Sequence, residues 1–363
     1  MKPDKIVKKQ ILNLPVYETG KPIEYVAREF GLDPDGILKM ASNENPLGAS
    51  PKAVEAVKKR LETLNYYPDG GCYELRQKLS KKWGLAPAQF AFGNGSNEIL
   101  EFIAQCFVGD GDETVFGAQS FIVYKLATIF MGGVCKSVPM PGLKYDLDAM
   151  RDAVTDRTKV VFMTNPNNPT GCVVPQAEVE NFVRSLPEHV IFCYDEAYTE
   201  YQENPVDLRN LIAEGRNVIC LRTFSKIYGL AGLRIGYSYS SEEIAGYINR
   251  AREPFNVNSL AQAAALAALD DDDFVRRSRE VNNAGRKQFV EAFEKLGLEY
   301  FSDGANFVMV KVADAPQKFV EMQKRGVIVR PNVGYGLPDW LRITIGKPEQ
   351  NERCIGELAK LLK

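Results

Sequence analysis

The chain predicts an α/β protein: a mostly parallel sheet covered by helices, joined to a smaller α+β unit. Three observations carry that expectation. Short apolar runs at Val160-Val161-Phe162-Met163, Val190-Ile191-Phe192-Cys193-Tyr194 and Val218-Ile219-Cys220-Leu221 have the length and composition of buried strands. Helical patterns at 51–61, 73–83 and 177–186 are interspersed with strand-like segments, the signature of a sheet covered on both faces. From Ser259 the character changes to an alanine-rich helix at 261–269, acidic residues at 270–273 and a long polar helix to about 296, which reads as the start of a smaller domain.

In chain order, the helical patterns at 51–61 and 73–83 come first, followed by the strand-like Phe90-Ala91-Phe92. Gly95-Ser96-Asn97 then opens a helix whose backbone N–H groups suit a phosphate. No Gly-Lys-Ser/Thr follows, so this is not a nucleotide-binding P-loop, and the glycine spacing of a dinucleotide fingerprint is missing. The run at 160–163 leads into Asn165-Pro166-Asn167-Asn168-Pro169-Thr170-Gly171, where two prolines and a glycine make a tight turn. The run at 190–194 ends in Asp195-Glu196-Ala197-Tyr198, and that at 218–221 leads to Thr223, Ser225 and Lys226.

Those strand ends carry complementary chemistry. A lysine delivered among small and apolar residues is poorly placed as a surface charge but well placed as an amine of lowered pKa that attacks a carbonyl. Thr223, Ser225 and Arg234 surround it with phosphate donors. Asp195 can pair with a pyridinium nitrogen and keep the ring an electron sink. Tyr198 and Asn168 can reach that ring's phenolic oxygen. Together these residues point to pyridoxal 5'-phosphate (PLP). Taken singly each has a plainer explanation: a loop lysine, a capping aspartate, an Asn-Pro turn.

Composition excludes other classes. Net charge is −2 over 363 residues, so no broad basic field invites nucleic acid or an anionic membrane. No long apolar run follows the amino terminus, and we expect neither a signal peptide nor a membrane span. The seven cysteines show no C-x-x-C pair and suit reduced thiols in a cytoplasmic protein. The acidic residues at 270–273 are expected to form a solvated turn and not a metal site.

NPNNPTG, YDEAY and SKIYGLAGLRIGY, in this order and spacing, resemble the fold-type I PLP-dependent aminotransferases, and among these the histidinol-phosphate aminotransferases. Ser42-Asn43-Glu44-Asn45-Pro46-Leu47-Gly48, Tyr67-Pro68-Asp69-Gly70, Gly93-Asn94-Gly95-Ser96-Asn97-Glu98 and Gly334-Tyr335-Gly336-Leu337-Pro338 extend the resemblance over nearly the whole chain. It implies an N-terminal arm at 1–45 that contributes to the small domain, a large PLP-binding domain at 46–258 and a small C-terminal domain at 259–363. It also implies that Lys226 attaches PLP and moves a proton, that Phe121 stacks on the pyridine ring, and that Ser96, Thr223, Ser225 and Arg234 bind the phosphate. Tyr67 would reach the phosphate of the other subunit in a homodimer. Arg342 and Arg330 would hold the substrate's anion, with Asn45 and Tyr17 as further substrate contacts and Tyr25 as another pocket candidate. The implied reaction is a ping-pong transfer from histidinol phosphate to 2-oxoglutarate, forming glutamate. Relatives that transaminate phenylalanine or tyrosine, or decarboxylate a phosphothreonine, share the core residues, so the motif around Lys226 leaves the substrate open. A DNA-binding regulator built on this core is disfavoured, since only about 40 residues precede Asn43 and they hold no basic recognition helix.

Overall fold

The structure, a computed structural model, describes residues 2–12, 14 and 20–362. Its centre is a seven-stranded sheet in the order Phe90–Gly93, Gly236–Tyr239, Val218–Thr223, Ile191–Asp195, Thr158–Thr164, Glu113–Gly117, Val134–Val138. Gly236–Tyr239 runs antiparallel to both of its neighbours, and the remaining pairs are parallel.

The apolar runs read from the sequence are central strands, and their burial explains their composition. Val161, Met163, Phe192, Tyr194, Val218 and Cys220 face one core, whereas Val160, Phe162, Ile191, Cys193, Ile219 and Leu221 face the other. Side chains alternate across a strand, so a strand covered on both sides must be apolar throughout. The helices Pro51–Arg60, Tyr73–Trp83 and Gln176–Ser185 lie within a residue or so of their expected positions. Because the strands are parallel, the ends of Thr158–Thr164, Ile191–Asp195 and Val218–Thr223 open on one edge, with Thr164 directly beside Asp195.

A second, four-stranded antiparallel sheet has the order Arg330–Asn332, Leu337–Thr344, Phe307–Lys311, Tyr300–Phe301. Its core joins Val308, Val310, Leu341 and Ile343 to Phe289 and Phe293. Leu38 and Met40 enter the same core, and Leu38–Lys39 pairs with Val327–Ile328.

Two expectations need correction. The change of composition at Ser259 is not a change of core: Ala261, Ala264, Ala265 and Ala268 pack with Ala53, Leu75 and Leu79 in the large core. Small side chains let the helix Ser259–Ala268 lie close against Pro51–Arg60. The second core begins later, on the far half of the helix Asp272–Lys295, with Phe289. The acidic turn is also not wholly solvated. Asp271 is buried and accepts a hydrogen bond from Ser50 Oγ at 2.5 Å.

Candidate functional site

A cavity of about 300 Å³ lies where the ends of the parallel strands meet the second sheet. Of the residues singled out from the sequence, Ser96, Asn97, Phe121, Asn168, Asp195, Tyr198, Thr223, Ser225, Lys226, Arg234, Arg330 and Arg342 line it.

Lys226 reaches this place because its loop is anchored on both sides: Phe224 and Ile227 are fully buried. The loop is clamped by segment 42–50. Ser42 O accepts from Lys226 Nζ at 3.2 Å, Ile227 O from Asn45 Nδ2 at 2.8 Å, and Tyr228 O from the Ser50 N–H at 3.1 Å. Burial, with Arg342 nearby, pulls the Lys226 amine down to about 8, against the opposing pull of Glu44 and Asp195.

Asp195 sits at its strand end with one oxygen accepting from the Ala197 N–H and the other from the Tyr124 hydroxyl, each at 3.0 Å. Burial pushes its carboxyl up to about 6, and these two donors hold it back from rising further. Tyr198 accepts from Asn43 Nδ2 at 2.8 Å, and burial pushes its hydroxyl up to about 12. Asn43 can aim its amide there because its backbone is left-handed, at φ +56, and its N–H is tied to Thr344 Oγ1 at 2.9 Å.

Ser96 opens the twelve-residue helix Ser96–Phe107, with Gly95 as the cap at φ +78. A Cβ on Gly95 would lie 2.6 Å from Arg234 Nη2, so only glycine leaves room for that guanidinium beside the helix N-terminus. Thr223 and Ser225 line the cavity with Ser96, Asn97 and Arg234, adding hydroxyls to the N–H groups and the one cation.

Arg342 is braced by Ala41 O at 2.9 Å and by Asn168 Oδ1, which leaves the Asn168 amide hydrogens as donors. Arg330 lies directly across from Arg342 on the neighbouring strand, and both line the cavity.

Two expected contacts, Asn45 and Tyr25, fall elsewhere. Asn45 is not a cavity residue: its amide is spent on Ile227 O and on Ser278 Oγ at 2.9 Å, and its oxygen accepts from the Leu47 N–H at 3.0 Å, which makes it a clamp on the lysine loop. Tyr67, expected to serve another subunit, is 80% exposed, stacked on Phe255 at 4.9 Å and outside the cavity of its own chain. Tyr25 is exposed and likewise outside the cavity, and Tyr17 lies outside the described residues. Residues that sequence reasoning passed over include Ser42, Asn43, Glu44 and Tyr335 in the lining, and Tyr124 behind it. Asn43 stands in the Ser42-to-Gly48 motif, and Tyr124 lies three residues after Phe121; only their partners were missing.

Comparison with known proteins agrees with this geometry. The family described as aminotransferase class I and II matches residues 35–358. The chain is 46% identical to the histidinol-phosphate aminotransferase of Akkermansia muciniphila, covering 97% of each chain. It is 47% identical to that of Methylobacillus flagellatus, covering 96% of this chain and 95% of the relative. Its fold matches the crystal structure of histidinol-phosphate aminotransferase from Sinorhizobium meliloti in complex with pyridoxal-5'-phosphate, with a TM-score of 0.90 and 26% identity over 98% of this chain and 97% of that one.

Proposed function

We propose that this chain, which belongs to the class I and II aminotransferase family, transfers the amino group of histidinol phosphate to 2-oxoglutarate with PLP as cofactor. The cavity fits that cofactor. A phosphate would be held by Ser96, Thr223, Ser225, Arg234 and the helix N-terminus behind Gly95 and Asn97, where dipole and charge both favour an anion. When bound, PLP supplies an electron sink conjugated to the carbon that carries the substrate's amine.

The chain's own groups do the rest. Lys226 is the attachment residue. With its amine at about 8, about a tenth is neutral and nucleophilic at pH 7. When it is not holding the cofactor, the same Nζ would be the base that moves the proton at the donor carbon. Asp195 would hold a proton at the ring nitrogen, and Phe121 would cover a ring face. Tyr198 and the Asn168 amide, both in the cavity lining, would donate to the phenolic oxygen.

The observation that carries the choice of substrate is the pair of guanidiniums from Arg330 and Arg342. The two residues are paired across adjacent strands and both line the cavity, so two guanidiniums can be offered to one doubly charged phosphate. A carboxylate of glutamate would use the same pair in the second half of the cycle. Relatives of nearly equal length named for histidinol phosphate support this reading. We further propose a cytoplasmic homodimer. All seven cysteines are free, as in a reducing compartment, and the exposed Tyr67 is suited to serve a partner subunit's phosphate site.

The test is a set of half-reactions. The PLP-loaded protein is mixed separately with histidinol phosphate, glutamate, phenylalanine and tyrosine, and the loss of the bound cofactor's visible absorption is followed. Histidinol phosphate and glutamate should both discharge it efficiently. A higher kcat/KM for phenylalanine or tyrosine than for histidinol phosphate would overturn the assignment.

A further inference from the structure

Tyr124 is completely buried, and none of the chemistry above uses it. Its O–H donates to Asp195 Oδ2 at 3.0 Å. Its ring is stacked on Phe162, with centroids 4.8 Å apart and planes within 5° of parallel. The edge-to-face contact with Phe121, at 5.8 Å and 86°, ties the same ring to a wall of the cavity. Among the described residues only Tyr124 and the Ala197 N–H donate to the Asp195 carboxylate. We propose that Tyr124 is a positioning residue for the transamination, joining the Asp195 carboxylate and the Phe121 ring into one rigid seat for the pyridine ring.

The inference rests on the role given above to Asp195, and it deepens that role. A tyrosine needed only for packing could be a phenylalanine, because the stacks on Phe162 and Phe121 involve the ring alone. The hydroxyl adds one thing, a second hydrogen bond to a carboxylate buried at the cavity wall. Hydrogen bonds to a charged acceptor favour its ionised form. An ionised Asp195 is the partner that keeps a ring nitrogen protonated, whereas a neutral Asp195 keeps the proton on its own oxygen and leaves that nitrogen unprotonated. Tyr124 thereby acts on the reaction through Asp195. The other charged groups acting on this carboxylate are Glu196, next in the chain, and Lys226, from the adjacent loop. Tyr145 and Cys193 are the further titratable neighbours of Tyr124. None of the four donates a hydrogen bond to Asp195 among the described residues, so none replaces the lost hydroxyl.

The experiment uses holoenzyme loaded with PLP carrying nitrogen-15 in the ring, as wild type and as Tyr124→Phe, and reads the ring-nitrogen chemical shift at one pH. Wild type should show a protonated nitrogen, and Tyr124→Phe should move toward the neutral pyridine value. Its kcat should fall about tenfold or more, the size expected for one hydrogen bond to a charged group, while KM for histidinol phosphate changes little. Phe162→Leu keeps the hydroxyl but removes the ring it is stacked on. It should displace the signal in the same direction by less, and it decides the matter if Tyr124→Phe does not fold. A Tyr124→Phe holoenzyme with the wild-type shift and kcat would overturn the inference and leave Tyr124 a packing residue. A neutral ring nitrogen in wild type would instead overturn the role of Asp195 itself, and this inference with it.

Discussion

Replacing Arg222 by methionine tests the buried charges on which the strand end carrying Asp195 is built. The Arg222 guanidinium meets Glu196 Oε2 at 2.7 Å and Glu200 Oε1 at 3.3 Å, and it lies 4.2 Å over the ring of Trp83. Glu196 follows Asp195 in the chain and is fully buried. Its Oε2 also accepts from Tyr239 at 2.9 Å, while its Oε1 has no hydrogen-bond partner among the described residues. Methionine restores most of the volume but leaves a carboxylate buried without its cation, which costs about 3–5 kcal/mol. Burial already pushes the Glu196 carboxyl up, and Arg222 is the largest influence holding it back. Removing Arg222 therefore raises it further above its unfolded value. A carboxyl raised on folding costs stability at every pH above its unfolded pKa, and that cost disappears as pH falls through the folded one. The loss, measured from urea unfolding, should be large at pH 8 and smaller at pH 5. Adding Glu196→Gln to Arg222→Met should restore part of it at pH 8, since the amide keeps an oxygen for Tyr239. A loss below about 1 kcal/mol at pH 8, the range of an exposed ion pair, would refute the reasoning. So would equal losses at pH 8 and pH 5.

Gly229→Ala should damage the lysine loop, because φ is +68 there and an added Cβ would lie 1.9 Å from Gly48 O. The backbone term alone costs about 1–2 kcal/mol, and thermal melting and PLP titration should show both stability and cofactor affinity reduced; Gly232→Ala, which meets nothing within 4 Å, is the control that should change neither. In the cofactor-free protein, the rate at which Lys226 captures pyridoxal should rise with pH through a midpoint near 8, since only the neutral amine attacks; a midpoint near 10 would show an ordinary, hydrated lysine. Tyr67→Phe and Lys226→Ala, each impaired alone, should regain activity when mixed under subunit exchange, because one site of the hybrid carries neither lesion; activity no higher than the mean of the parents would place Tyr67 in its own subunit's site.

The strand ends were readable because each was announced twice, by an apolar run that had to be buried and by a residue type with few reasons to follow one. Lys226 after Val218–Thr223 and Asp195 at the end of Ile191–Asp195 are such cases. Contacts between distant segments were not readable. Asn43 meets Tyr198 across 155 residues, and the direction of its amide depends on a left-handed backbone that no local pattern reveals. Asn45, two residues on, has the same side chain but spends it on Ile227 O and Ser278 Oγ. Identical chemistry so near in sequence ended up on opposite sides of the cavity wall. The boundary at Ser259 misled for another reason: alanine marks close helix packing, and here the packing partner, Pro51–Arg60, lies far back in the chain.

The most direct test of the central claim is to find where the cofactor is attached. The PLP-loaded protein is reduced with borohydride, digested, and mapped by mass spectrometry. The account predicts a pyridoxyl group on Lys226 and, in Lys226→Ala, a folded protein with no label at the site. A stoichiometric label on Lys125, Lys144 or any other lysine, with Lys226 unmodified, would contradict it.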